Sequence, residues 1–191
     1  PSEQLTVARG EPYIYYVYPE IGSDGEKIFR IDCGFKINLP IPENNPYKPE
    51  ESRVVRSIKE NGTYTVQISR ESKDKLYTYL SKVIKVVDGD TVDVNIDVGF
   101  GIGSYQRLRF KGINAKEIDT VEGRLAKQFL EEYFRESPYV VIRSFKTEIY
   151  GRWLADTFAL KGSNDPYKIA AEGEYVNQIL LDKGLAEVYK D

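Results

Sequence analysis

From residue 78 the chain sets out short β-branched runs in series and inserts one helix among them, and few folds accommodate that order. The runs "TYLSKVIKVV", "TVDVNIDV" and "YQRLRFKGI" come first, then "VEGRLAKQFLEEYFRE", then "YVVIRSF" and "WLADTFAL". Val, Ile, Tyr and Phe suit a pleated, half-buried surface, and Gly, Asn and Asp between runs supply turn chemistry. In the helical segment, Leu125, Phe129, Leu130 and Phe134 recur at helical spacing and predict the buried face. A second short amphipathic helix, "EYVNQILLDKG", is predicted to stop at Gly184. Five strands with a helix after the third predict a small closed barrel of the oligonucleotide-binding type, in an α+β chain dominated by β structure.

The upstream part is also β-rich. "PYIYYVY" and "KIFRIDCGFKINL" flank the turn-forming "GSDGE", and "RVVRSIKENGTYTVQIS" carries Asn61-Gly62, a strong hairpin signal. The proline-rich stretch "PIPENNPYKPEES" between them reads as a loop or linker. Residues 1–75 are therefore expected to form a smaller β-rich module and residues 76–191 the barrel. "RIDCGFKI" at 30–37 echoes "NIDVGFGI" at 95–102, so the first module is either a degenerate partial copy of the barrel or an unrelated sheet.

Composition narrows the chemistry. The 191 residues contain no histidine and one cysteine, Cys33, which removes His-based bases, His metal sites and any intrachain disulfide. Acid–base chemistry must then rest on carboxylates, lysine, tyrosine or metal-bound water. A net charge of −3 argues against a bulk basic coat but permits a local cationic cleft. No apolar run is long enough to span a bilayer and no signal peptide is visible, so a cytoplasmic chain without membrane association is expected.

Four short features follow one another at suggestive spacing: "DGDT" at 88–91, "RFKGINAKE" at 109–117, "YGR" at 150–152 and "YVNQILLDKGLAEVY" at 175–189. Each alone has an ordinary explanation: a tight turn, a solvated strand arginine, a loop carboxylate, a packed aromatic. In order and spacing the series resembles the staphylococcal nuclease (thermonuclease) family over about residues 80–189. The resemblance implies a calcium-dependent nuclease that cleaves DNA or RNA at the 5′-oxygen and leaves 3′-phosphate ends. It places Asp90 and Asn114 at metal-ligand positions, with the Ala115 carbonyl completing the site. It puts Arg109 and Arg152 on the phosphate and Glu117 at the general-base position. Lys116 and Tyr150 are further candidates for nucleic-acid contact, and Asp88 is expected to support the turn or to sit behind Asp90.

The chemistry of that set is coherent in its own right. Calcium prefers carboxylate, amide and carbonyl oxygens, so the absence of histidine is no obstacle. Two guanidinium forks match phosphate oxygens and stabilise the charge that grows there in the transition state. A small cleft reaches an unstacked backbone most readily, so single-stranded DNA or RNA is the expected partner. The sequence departs from the family pattern at Asn114, where an aspartate is usual, and at Lys116, where proline is usual. The amide oxygen at 114 brings no charge, which supports an alternative: a weakened or inactive nuclease-like module that binds nucleic acid or a protein.

Overall fold

The computed structural model describes residues 2–190, and in residues 146–149 the backbone alone. Two sheets dominate it. Strands β1 (Ile14–Ile21), β2 (Lys27–Gly34), β3 (Ile37–Pro40), β4 (Arg53–Glu60) and β5 (Thr63–Ile68) form an open antiparallel sheet in the order β3-β2-β1-β4-β5. Strands β6 (Thr78–Asp88), β7 (Thr91–Gly99), β8 (Ile102–Phe110), β10 (Tyr139–Ile149) and β11 (Arg152–Ala159) close into a five-stranded barrel. Closure comes from antiparallel β10–β11 and β6–β10 pairing and from a parallel β8–β11 pair, with Trp153 beside Leu108 and Ala155 beside Phe110. Three helices, α1 (Val121–Glu136), α2 (Pro166–Glu172) and α3 (Val176–Asp182), complete an OB-fold-like α+β architecture. Three short strands remain: β9 (Ile113–Ala115) pairs with β13 (Ala186–Val188), and β12 (Glu174–Tyr175) extends β11.

The sheets share one apolar core. Tyr15, Val17, Ile31, Cys33, Phe35 and Val55 of the open sheet pack in the same cluster as Tyr79, Val94, Ile96, Leu108 and Phe110 of the barrel. Cys33 is buried there, as a small apolar side chain should be, and burial pushes its thiol up to about 12.

The sheets are also built alike. The order β3-β2-β1-β4-β5 matches β8-β7-β6-β10-β11 strand for strand. The echoed octapeptides are the same hairpin in each. Asp32 Oδ1 accepts from the Gly34 amide and Asp97 Oδ1 from the Gly99 amide, both at 2.9 Å. Each turn then runs through positive φ, at Gly34, Phe35 and Lys36 in one and Gly99, Phe100 and Gly101 in the other.

Local sequence explains most elements and misses a few. Asn61-Gly62 forms the β4–β5 turn with φ of 51° and 78°, as its composition predicts. "KIFRIDCGFKINL" was expected as one strand but breaks into β2 and β3 at Phe35-Lys36, a pair without the usual turn residues. Burial of Phe35, edge-on to Trp153 at 5.3 Å, offsets the strain of its positive φ. In α1 the buried stripe is Gly123, Ala126, Leu130 and Phe134, while Leu125 is 52% exposed, which corrects the expected face. The reason is close packing: a Cβ on Gly89 would lie 2.5 Å from the Ala126 Cβ, so only small residues fit where α1 meets the β6–β7 turn. Arg107 is not simply solvated either; it forks onto Asp93 at 2.8 and 3.1 Å.

Candidate active site

The β6–β7 turn opens the site. Asp88 Oδ1 accepts from the Asp90 amide at 3.0 Å, the side-chain-to-backbone bond that aspartate brings to a tight turn. Asp90 is then held from three directions. Its Oδ1 accepts from the Thr91 hydroxyl at 2.8 Å, its Oδ2 from the Ala115 amide at 2.9 Å, and its carbonyl from the Phe110 amide at 2.8 Å. The last two bonds fasten the turn to β9 and to the end of β8. Gly89 is required by space, since an added Cβ would also sit 2.8 Å from that of Ala115.

Arg109 stands near the end of β8, opposite Thr91 and beside Leu154. Its Nη2 donates to Asn114 Oδ1 at 3.1 Å, and its guanidinium lies 4.9 Å from the centre of the Tyr189 ring. Pairing of β9 with β13 sets Asn114 beside Glu187 and brings Tyr189 over the arginine, whose exposure is 7%. Lys116 pairs with Glu187 at 3.3 Å and so is not held by Glu117.

Glu117 is presented by a loop clamped to the start of α1. Its carbonyl accepts from the Thr120 hydroxyl at 2.6 Å and the Thr120 amide at 3.0 Å, while Thr120 caps the helix through the Gly123 amide. A Cβ on Gly123 would lie 2.0 Å from that same carbonyl oxygen. Arg152 begins β11 after the Tyr150-Gly151 turn, with φ of 54° and 74°, and Tyr150 is 93% exposed at the rim.

One cleft of about 410 Å³ gathers these groups from segments as far apart as residues 88 and 189. Asp90, Asn114 and Ala115 line it together with Arg109, Arg152 and Glu117. Lys116 and Tyr150 border it as well, so all eight residues singled out from the sequence share a wall. Two more join them. Asp88 lines the cleft, and burial, reinforced by the neighbouring Asp90 carboxylate and opposed by the Asp90 amide bond, raises its carboxyl to about 6. Tyr189, which closes the motif at 175–189, gains its place at the site only when strand pairing carries it across to Arg109.

Among the described residues no three His, Cys, Asp or Glu side chains converge as a metal cluster. The hard-oxygen set is mixed instead: the adjacent Asp88 and Asp90 carboxylates, the Asn114 amide oxygen and the Ala115 carbonyl. Crowding of two partly buried carboxylates is what a divalent cation relieves, and carboxylate oxygens that accept one hydrogen bond keep lone pairs for a cation. The donor chemistry fits calcium. No protein-family model matches the chain, and no curated protein matches it significantly.

Proposed function

We propose that this cleft hydrolyses phosphodiester bonds in single-stranded DNA or RNA with the help of calcium. The observation that carries the reading is the meeting of Arg109 and Arg152 with Asp88, Asp90 and Glu117 in one cleft. Asp90, Asn114 and Ala115 would hold the cation, with Asp88 behind or beside them. Bound there, calcium supplies Lewis-acid polarisation of a phosphoryl oxygen. Arg109 and Arg152 grip the remaining oxygens and neutralise the charge that builds up as water adds. Glu117 takes a proton from that water, the new P–O bond forms, and the bond to the 5′-oxygen breaks. The leaving oxygen takes a proton from solvent, giving a 5′-hydroxyl and a 3′-phosphate.

A second reading has its own support. Asn114 contributes no charge, and its amide oxygen is engaged by Arg109, which Tyr189 covers. On that reading the barrel is a recognition module with a weakened or inactive centre. Hydrolysis of fluorescent single-stranded DNA and RNA, with Ca²⁺ titrated from micromolar to tens of millimolar, separates the two. Calcium-dependent cleavage lost in Arg152→Ala supports the nuclease; binding without cleavage at every calcium level supports the module.

A further inference from the structure

Tyr189 is a wall of two cavities, not one. Beyond it from the catalytic cleft lies a second hollow of about 320 Å³, lined by Gln4 and Thr6 of the N-terminal segment, by Tyr175, and by Lys111 and Lys190. Among the described residues its lining includes no carboxylate, although the chain as a whole is net negative. The Lys111 ammonium rests on the Phe145 ring at 4.9 Å. Asp156 accepts the Tyr175 hydroxyl at 2.5 Å, and its charge also acts on Lys111.

The N-terminal wall is fixed in place. The Leu5 amide donates to Gln178 Oε1 at 2.8 Å, Gln178 Nε2 donates to the Glu3 carbonyl at 2.9 Å, and the Ala8 amide donates to Asp156 Oδ2 at 3.3 Å. The opposite wall is fixed too, because the Tyr189 amide donates to the Gly112 carbonyl at 2.9 Å. Gly112 is bare where Leu5 presses on it, a Cβ there lying 3.1 Å from the leucine methyl. Aromatic and aliphatic walls beside two ammonium groups match a nucleotide, which joins a flat apolar base to an anionic phosphate.

We propose that this hollow is a second nucleotide subsite, which receives the part of a single strand that extends past the scissile bond, and that residues 4–6 build one side of it. The proposal rests on the nuclease reading for its orientation but not for its existence. A strand must then exceed the minimal dinucleotide to use the subsite, and longer strands bind better.

The test compares KM for a labelled thymidine dinucleotide and a thymidine octamer in the wild-type chain, Thr6→Glu and Lys190→Glu. Thr6 is exposed and outside the barrel, so its substitution leaves folding intact, which a thermal melt verifies. Each variant is expected to raise KM for the octamer about five-fold, the effect of a partly screened charge set against a phosphate. Dinucleotide kinetics stay at the wild-type value. An octamer KM unchanged in both variants, or equal losses on the two substrates, overturns the subsite. If the wild-type chain cleaves neither substrate, the nuclease reading fails separately. Fluorescence anisotropy of the labelled octamer then decides: weaker binding by both variants supports the subsite and unaltered binding overturns it.

Discussion

The Tyr15 hydroxyl donates to the Val98 carbonyl at 2.7 Å, reaching from the open sheet into the barrel hairpin. The barrel returns the contact: Tyr79 donates to the Cys33 carbonyl at 2.8 Å, one residue before the corresponding glycine of the other hairpin. Asp32 accepts from Tyr77 at 2.7 Å, and the Asp97 charge acts on the Tyr13 hydroxyl. Two like hairpins are therefore each gripped by tyrosines of the other sheet. Tyr15→Phe strands a buried carbonyl and is expected to cost about 1–3 kcal/mol. Urea unfolding followed by Trp153 fluorescence checks it, since that indole lies against Phe35 across the junction. A lowered midpoint at constant slope, in a single transition, is the expected outcome.

Small residues hold the site to the helix, so enlarging them should cost both stability and activity. Gly89→Ala forces a methyl against Ala115 and Ala126. Overpacking of this kind costs about 1–3 kcal/mol. Because the strain falls on the Asp90–Ala115 bond, calcium-dependent hydrolysis should fall further than thermal stability alone explains. Calorimetric melting beside initial rates measures both.

Arg152→Ala should lower turnover about 10²–10³-fold, as for other groups that stabilise transition-state charge. Nucleic-acid affinity should fall much less. Equal losses in rate and binding would restrict Arg152 to holding substrate.

Glu117→Gln keeps the backbone clamp of Thr120 and removes only the proposed proton acceptor. Turnover should drop about 10²–10⁴-fold with the melting temperature unchanged. A wild-type rate in this variant would take Glu117 out of the mechanism.

Asn114→Asp adds a charge to the proposed cation site and a salt-bridge partner for Arg109. Calcium affinity should rise on the order of tenfold, since affinity follows ligand charge count. Isothermal titration without substrate measures it, and an unchanged affinity places residue 114 outside the coordination shell.

Acid stability should depend on Asp93. Its bidentate bond from Arg107, helped by the Tyr105 hydroxyl, holds its carboxyl below the usual carboxylate range against the opposing effect of burial. A depressed folded value means that the pair stabilises the fold above the unfolded carboxyl value, about pH 4, and that this contribution is lost as pH falls through the folded value. Asp93→Asn should lower stability at neutral pH and narrow its gap from wild type as the medium is acidified. Denaturant midpoints at pH 7, 5 and 3 report the trend.

What the sequence makes legible follows the strength of local signals. The β6 to β11 order stands out because β-branched runs and one helix have distinct periodicities, and the candidate site residues because the four motifs that carry them resemble a known family in order and spacing. The α1 face was misread because hydrophobic periodicity ranks Leu125 above Gly123 and Ala126, whereas close approach to the β6–β7 turn rewards small side chains. The Phe35-Lys36 break is weakly signalled: Asp32 and Gly34 supply turn chemistry just before it, but the burial that holds Phe35 at positive φ is not visible in sequence. Asp88 supports the turn as expected, but only the folded chain shows it lining the same cleft as Asp90. The likeness of the two sheets surfaced in eight residues because strand order leaves almost no trace in sequence.

The two sheets end differently. Among the described strands, β3 and β5 stay apart, whereas β8 and β11 meet and leave the barrel without a free edge. Arg109 and Arg152 stand on the very strands that meet, so the seam that shuts the cylinder also fixes the spacing of the two guanidinium groups. A strand pair clamped on both flanks resists the sliding and splaying that an outermost strand tolerates. The open sheet, free of that demand, can drift in sequence as long as its tyrosines keep hold of the neighbouring hairpin. A closed sheet thus offers a cleft a fixed side-chain spacing that an open sheet of the same strand order does not.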